Sequence, residues 1–311
     1  MLILYILLLL AVLVPTAGFY FYRVAFFPKR YTYEEVTRFE IDLGKLTILD
    51  DYNAWEREEI AIPSPHGYKL HALYFPFLNS AKTVIFSHGI TLNLCGSIKY
   101  MGLFRKRGYN LLIYDNRFHG KSGGANCTFG YFEKFDLQAL VDWVIQKCGP
   151  GSIIGTHGES LGAGISLQHA AIDKRISFVI ADCPFSDLHQ LFCTRLQMDY
   201  HLPPFPLLNL TRWFAQGLIG FDLRKVSPIH NLNQVQTPIF WIHGDQDRFI
   251  LPAMSKAMFQ AKTNGPRRLY LPPGAKHAEA YLVDPLSYER QVEEFLIEIG
   301  LENSTPAAGS D

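Results

Sequence analysis

Ser160 stands at the centre of a short pattern, Gly-Glu-Ser-Leu-Gly at residues 158–162, that could carry nucleophilic chemistry. An apolar run at residues 152–154 leads into the pattern, and a small-residue helical pattern follows it at residues 164–171. The sequence therefore predicts a strand, a tight turn at Ser160 and a helix, and the flanking glycines permit the close backbone approach that such a turn needs. A turn of this kind exposes the serine hydroxyl for attack on a carbonyl carbon.

A serine hydroxyl also needs a base within hydrogen-bond reach, and that base needs a carboxylate to orient it. One predicted strand runs into a loop that carries Asp245 and Asp247, and the next predicted strand runs into a loop that carries His277. Because these loops follow parallel strands, their side chains are expected at the same sheet edge as Ser160. The order serine, aspartate, histidine is the order used on this kind of sheet.

Strand and helix patterns alternate along most of the chain, after a predicted antiparallel hairpin between residues 59 and 75. This alternation is typical of βαβ crossovers and predicts an α/β fold with a mostly parallel eight-stranded sheet flanked by helices. The chain has 311 residues, of which 48% are apolar and 19% charged, so it can bury a substantial core.

The alternation breaks at about residues 184–237, where apolar side chains suffice for two or three short helices. An insertion at this point would lie above the carboxyl ends of the strands, where open parallel sheets bind ligands. We therefore predict a helical lid whose residues Phe192, Met198 and Trp213 line an apolar substrate pocket. Some of these side chains must instead form the core of an extra helical layer.

The first 22 residues contain no charged side chain and are long enough to span a membrane. A signal peptide would have a basic start and a small-residue cleavage site, which are missing before Arg23, so we predict an uncleaved transmembrane helix. A buried core helix is the alternative. Basic residues between 23 and 38 place the remainder of the chain in the cytoplasm by the positive-inside rule. Residues 23–54 are predicted as a juxtamembrane spacer with aromatic residues at the membrane interface.

Composition excludes several other kinds of function. The chain has 29 basic and 29 acidic residues and no basic cluster, so no nucleic-acid partner is expected. Its five cysteines are scattered without a Cys-x-x-Cys spacing, which indicates neither a disulfide framework nor a zinc site. The histidines also lack metal-ligand spacing. We expect no metal and no cofactor, and a frayed tail at residues 301–311.

Five motifs in register make residues 55–300 resemble the α/β-hydrolase superfamily. Together with the apolar helix, they make the chain similar to bacterial membrane-anchored serine hydrolases near the serine aminopeptidase and prolyl oligopeptidase-like branches. The motifs are His88-Gly89, residues 115–122 (Asp-Asn-Arg-Phe-His-Gly-Lys-Ser), residues 158–162, residues 243–247 (His-Gly-Asp-Gln-Asp), and residues 274–277 (Gly-Ala-Lys-His).

The resemblance implies that Ser160 is the nucleophile, His277 the base and Asp247 the acid, since the family spacing His-Gly-x-x-Asp selects Asp247 over Asp245. It also implies an oxyanion hole made by the backbone N–H groups of Leu161 and Ile90, with Thr91 as the alternative to Ile90. The family usually has glycine where this chain has Phe118, which changes the freedom of that loop.

The function expected from this reading is hydrolysis of carboxylic esters, with an apolar or lipid-like acyl group, through an acyl-enzyme intermediate. Cleavage of peptides, as by an aminopeptidase, and acyl transfer to another acceptor remain open on the same three residues. A different class of function is a membrane-anchored binding or scaffold protein with a vestigial site. The expected partners are a small-molecule or lipid ester and the membrane, reached through the N-terminal helix.

Overall fold

A central sheet of eight strands organises the chain in the computed structural model, which describes residues 1–303. The strand order is β1-β2-β4-β3-β5-β6-β7-β8, with β2 antiparallel to both of its neighbours and all other pairs parallel. The predicted hairpin and mostly parallel sheet are confirmed. The strands are β1 Glu58–Pro63, β2 Lys69–Phe75, β3 Lys82–Ser87, β4 Asn110–Tyr114, β5 Ile153–Glu159, β6 Ile176–Asp182, β7 Ile239–Ile242 and β8 Arg267–Tyr270.

Helices cover both faces of the sheet, because the central strands are apolar on both sides. On β3, Ile85 points into one core cluster, while Val84 and Phe86 point into the other. The first cluster includes residues of α5, α6 and α9, and the second includes residues of α2, α4 and α11. The helices are α1 Leu2–Phe26, α2 Tyr33–Asp42, α3 Leu49–Ala54, α4 Ile98–Arg105, α5 Glu133–Cys148, α6 Leu161–Ala170, α7 Leu188–Tyr200, α8 Leu207–Leu218, α9 Pro252–Ala261, α10 Ala280–Val283 and α11 Pro285–Glu298.

The insertion after β6 is helical, as its apolar content predicts. It contains α7 and α8, followed by two short 3-10 helices at Leu223–Lys225 and Leu232–Gln234. The side chain of Asp187 caps the start of α7 by accepting a hydrogen bond from the Gln190 N–H. The insertion is therefore an ordered helical segment between β6 and β7.

The apolar helix α1 has two parts with different surroundings. Residues 2–17 are exposed or half-buried, whereas Gly18, Tyr22 and Phe26 are buried against the rest of the chain. A Cβ at Gly18 would lie 2.5 Å from the Leu210 Cβ, so glycine lets α1 approach α8 closely. The helix is long and apolar enough to cross a membrane, with a mean hydropathy of 2.6 over its most apolar window, as an anchor or a signal sequence would be.

The segment predicted as a spacer is instead packed on the sheet domain. Thr32 and Glu35 form a capping box that starts α2, and α3 follows. The Tyr31 N–H donates to the Thr91 carbonyl at 3.1 Å, and burial of Phe26 removes it from the predicted membrane interface. Residues 23–54 are thus an integral layer of the fold. The predicted tail at residues 301–311 lies largely outside the described residues.

Candidate active site

Ser160 lies at the turn between β5 and α6, with backbone angles φ 53° and ψ −109°. The positive φ is unfavourable for a residue with a Cβ, and the hydrogen bond from the Ser160 N–H to the Asp182 carbonyl, at 2.8 Å, helps to hold it. A Cβ at Gly158 would overlap Gly162, and a Cβ at Gly162 would overlap the Ser87 carbonyl. The two glycines of the pattern are therefore required by close backbone contacts.

The structure brings His277 and Asp247 next to Ser160. The His277 Nε2 atom lies 3.0 Å from the Ser160 Oγ atom, and the His277 Nδ1 atom lies 2.7 Å from the Asp247 Oδ2 atom. Both distances are within hydrogen-bond range. If the ring proton is on Nδ1 and is donated in a hydrogen bond to the carboxylate, Nε2 is free to accept the serine proton. This is the arrangement that a general base needs.

The carboxylate of Asp247 is buried and held from several sides. Its Oδ1 atom accepts hydrogen bonds from the N–H groups of Phe249 and Ile250, at 2.8 and 2.9 Å. Burial raises the pKa of Asp247. Hydrogen bonds from His243 and His277 lower the pKa by a larger amount, so the net pKa lies well below the usual range. Asp247 is accordingly ionised at neutral pH.

The neighbouring carboxylate of Asp245 has a different environment. Asp245 is exposed, and its Oδ1 atom accepts a hydrogen bond of 2.7 Å from the N–H of Gly274. It therefore braces the loop that carries His277 and is not bonded to the imidazole itself.

Ile90 and Leu161, whose backbone N–H groups are expected to face the reacting oxygen, line the same cavity as Ser160. Leu161 is the first residue of α6, where an N–H has no intrahelical acceptor. Among residues 1–303, the Ile90 N–H donates to no protein acceptor. The Thr91 N–H, by contrast, donates to the His119 Nε2 atom at 3.3 Å, which leaves Ile90 as the better placed donor.

Two buried neutral histidines hold the loop that contains Ile90. His88 Nε2 accepts a hydrogen bond from the Asn116 N–H at 2.9 Å, and His119 Nδ1 lies 2.8 Å from the Arg117 carbonyl. Burial lowers the pKa of His88 to about 3 and that of His119 to about 4. Both rings are therefore neutral, and their hydrogen bonds to the backbone hold the loop that contains Ile90.

Phe118 occupies a position where the resembled family usually has glycine. Its φ is 68°, in the left-handed region that glycine adopts without strain. The Phe118 ring contacts the Phe27 ring, with centroids 6.0 Å apart, and the Arg30 guanidinium, at 4.7 Å. These contacts come from the segment that follows α1, which explains why a large side chain is accommodated here.

The cavity at Ser160 has a volume of about 110 Å³ and is mainly apolar. Of the three predicted lid residues, Phe192 lines this cavity, whereas Met198 and Trp213 do not and are 43% and 67% exposed. Val24 and Ala25 of α1 also line it. Sequence reasoning missed these two because an apolar membrane span gives no sign of which residues face a protein cavity.

A buried group of charges includes Glu159, the residue that precedes Ser160. The Lys99 Nζ atom lies 2.7 Å from Glu159 and 3.1 Å from Glu40 of α2, and all three residues are buried. Burial raises the pKa of Glu159, but the Lys99 ammonium outweighs this effect and lowers the pKa overall. The cluster links α2 to the turn at Ser160, and no sequence motif indicates it.

A metal site can be assessed from the ligand atoms present. Among the described residues, Cys183, Asp247 and His277 bring potential ligand atoms within 4.8 Å of one another. Asp247 and His277 are already hydrogen-bonded to each other, and burial raises the pKa of the Cys183 thiol well above its usual range. A protonated thiol is a poor metal ligand, so this set does not fit a zinc centre.

Similarity to known proteins agrees with this fold. The family model of the α/β-hydrolase fold matches residues 82–224. The uncharacterised protein YqkD of Bacillus subtilis is 34% identical over 281 residues, which cover 90% of this chain and 92% of YqkD. The chain belongs to the α/β-hydrolase family.

Two solved structures illustrate the range of hydrolases with this architecture. The Pyrococcus furiosus esterase Pf2001 superposes with a TM-score of 0.64 at 26% identity, over 83% of this chain and 95% of the esterase. A Pyrococcus horikoshii acylaminoacyl peptidase superposes with a TM-score of 0.61 at 15% identity, over 85% of this chain and 45% of the peptidase. The second likeness concerns the fold alone.

Proposed function

We propose that this chain is a serine hydrolase that cleaves carboxylic esters with an apolar acyl group. The observation that carries the proposal is the imidazole of His277, which lies 3.0 Å from the Ser160 hydroxyl and 2.7 Å from the Asp247 carboxylate. The likeness to an esterase at 26% identity supports esters as the substrate class. The apolar lining of the cavity, which includes Phe129, Phe185 and Phe192, supports an apolar acyl group.

In the proposed mechanism, the Ser160 Oγ atom attacks the ester carbonyl while His277 Nε2 accepts its proton. The oxygen of the tetrahedral intermediate would be held by the N–H groups of Leu161 and Ile90, each of which should lower the barrier by roughly 3 kcal/mol. His277 then donates the proton to the departing alcohol. Water attacks the acyl-enzyme with His277 again as base, which releases the acid and restores the serine.

The proposal predicts that Ser160→Ala and His277→Ala each lower ester turnover by at least roughly a thousandfold, because either change removes a member of the reacting unit. Turnover should be measured on purified full-length protein with a soluble butanoyl ester, and folding checked by circular dichroism. A fluorophosphonate probe should label the wild-type protein and not Ser160→Ala.

Contrary results separate the alternatives. An unlabelled wild-type protein, under conditions that label a known serine hydrolase, favours the binding or scaffold function. Labelling combined with faster cleavage of aminoacyl amides than esters favours a peptidase. Ester formation with added alcohol in place of acid release favours an acyltransferase.

A further inference from the structure

A second cavity, of about 180 Å³, lies between α1 and the lid helices α7 and α8. The polar side chains on its wall are engaged with partners. Arg195 is paired with Asp199, and the Thr211 hydroxyl donates to the Gly18 carbonyl at 3.2 Å. The surface offered to an occupant is therefore almost wholly apolar. Its apolar residues include Phe21, Val24, Ala25, Phe192, Leu196 and Leu208.

The second cavity adjoins the cavity that contains Ser160. Val24, Ala25, Phe192 and Arg195 line both of them, so the two spaces are separated by no more than these side chains. An apolar cavity of about 150 Å³ holds a benzene ring, so the second cavity, of about 180 Å³, can hold a segment of roughly six carbon atoms. The cavity at Ser160, of about 110 Å³, can hold a shorter segment. Together, the two adjoining apolar spaces suit an acyl chain whose carbonyl lies at Ser160.

The α1 residues that line the second cavity, Phe21, Val24 and Ala25, come just after the first buried residue of that helix. Residues 2–17 precede the first buried residue, Gly18, and sixteen helical residues span about 24 Å. The hydrocarbon core of a bilayer is about 30 Å thick. If α1 crosses the bilayer from Leu2 onward, Gly18 to Phe21 therefore lie within the hydrocarbon, and Phe21 also lines the second cavity.

The lid exposes several large apolar side chains, and one of them contacts α1. The exposed residues include both aromatic and aliphatic types, and the aromatic ring of Tyr200 packs on Phe21 of α1, with centroids 4.9 Å apart. Exposed apolar patches of this kind mark contact with membranes or other apolar surfaces. The residues are Met198, Tyr200, Leu202, Phe205, Trp213 and Leu218.

We propose that the groove between α1, α7 and α8 binds the acyl chain of an ester that resides in the bilayer and enters sideways from it. The membrane helix is then a wall of the substrate site as well as an anchor. This inference rests on the proposed function, because it assigns Ser160 the carbonyl at the inner end of the chain. It adds a substrate class, long-chain lipid esters, and a route of entry.

The first test uses full-length protein in phosphatidylcholine vesicles and a series of p-nitrophenyl esters from butanoyl to hexadecanoyl. Val24→Trp places an indole where the two cavities meet, so the ratio of kcat/KM for the dodecanoyl ester to that for the butanoyl ester should fall at least about tenfold. Val12→Trp makes the same change on the same helix, outside both cavities, and should leave the ratio unchanged. An unchanged ratio in Val24→Trp overturns the groove assignment.

The second test does not depend on catalysis or on a tolerated tryptophan. Ser160→Ala in vesicles is irradiated with a hexadecanoyl ester that carries a diazirine near the end of its chain, and the adducts are mapped by mass spectrometry. Adducts on Phe21, Val24 or Leu208 support the groove, whereas adducts confined to residues 2–17 or to other faces overturn it. If the wild type shows no ester turnover but the adducts lie in the groove, the proposed function is refuted and the groove assignment is not.

Discussion

At Asp247, two histidines and two backbone N–H groups converge on a single carboxylate. His243 approaches the Oδ2 atom at 3.1 Å and is itself held by Ser255 at 2.7 Å. This second imidazole fixes the carboxylate that orients His277, although the sequence pattern shows it simply as the start of a loop. Positioning of the acid is therefore shared between the end of β7 and the first turns of α9.

The two neighbouring aspartates should differ in their effect on turnover. Asp247→Asn should lower kcat/KM for a butanoyl ester by at least about a hundredfold, because the amide cannot hold the same tautomer of His277. Asp245→Asn should cost less than about tenfold, because the exposed side chain only braces Gly274. Equal losses in steady-state assays, or the reverse ranking, would move the acid role to Asp245.

A third carboxylate, Asp182, should make stability depend on pH. Burial and the charge of Glu159 raise the pKa of Asp182 to about 7, above the value of about 3.9 expected for an unfolded chain. Between these values the unfolded chain releases the proton first, so the free energy of unfolding falls as pH rises, by about 1.4 kcal/mol per pH unit from this group. Above about pH 7 the loss is complete.

Asp182→Asn cannot ionise and isolates this effect. Its thermal stability relative to the wild type should increase between about pH 5 and about pH 7 and then level off. The comparison is made in detergent by differential scanning fluorimetry across that range. A constant difference between the two proteins at every pH would show that the Asp182 carboxyl does not titrate there.

Among the elements, the N-terminal layer contacts three parts of the site. Tyr31 donates to the Thr91 carbonyl, next to the proposed oxyanion donor Ile90, and the Lys45 Nζ atom donates to the Ala278 carbonyl at 2.9 Å, next to His277. Glu40 completes the ion cluster that includes Glu159. Three separate contacts therefore connect residues 31–45 to the three parts of the site.

Two truncations should consequently behave differently. A chain that begins at residue 17 keeps Tyr22 and Phe26, and should retain ester turnover within about twofold. A chain that begins at residue 32 loses both buried aromatic side chains, each worth about 3–5 kcal/mol when truncated, together with the Tyr31 contact. It should lose more than about tenfold in turnover and melt at a lower temperature. Equal behaviour of the two chains would show that residues 17–31 are dispensable.

Local patterns in the sequence account for most of the sheet and for the groups near Ser160. Alternation gave the strands, and the glycines beside Ser160 identified the turn. No local sequence pattern indicates the contact between Lys99 and Glu159, because it joins α4 to the turn at Ser160 across 60 positions of the chain. The partial burial of α1 was also hidden, since a span and a core helix have the same apolar composition.

For the molecule as a whole, α1 and the basic residues after it indicate how the chain is oriented across the membrane. Arg23, Lys29 and Arg30 follow the apolar run. Gly18 and Tyr22 are buried against the domain, so cleavage before Arg23 would remove buried contacts. We therefore propose that α1 is retained as an anchor, with the hydrolase domain on the cytoplasmic side.

This arrangement predicts that intact cells exclude a membrane-impermeant lysine reagent from the domain. Labelling should appear only after permeabilisation, and the mass of the purified protein should include residues 1–22. A periplasmic protein domain carrying a lysine serves as the positive control. Labelling of intact cells would reverse the orientation, and a mass that lacks the apolar segment would identify it as a signal sequence.

Phe118 and the segment that follows α1 form a pair that evolution would have to change together. Phe27 and Arg30 cover the Phe118 ring, so contacts with the N-terminal layer help to offset the strain of its left-handed backbone. Relatives without an N-terminal helix lose the reason to keep an aromatic residue there and should carry glycine. A survey of related sequences that finds bulky residues at this position irrespective of the helix would contradict such coupled inheritance.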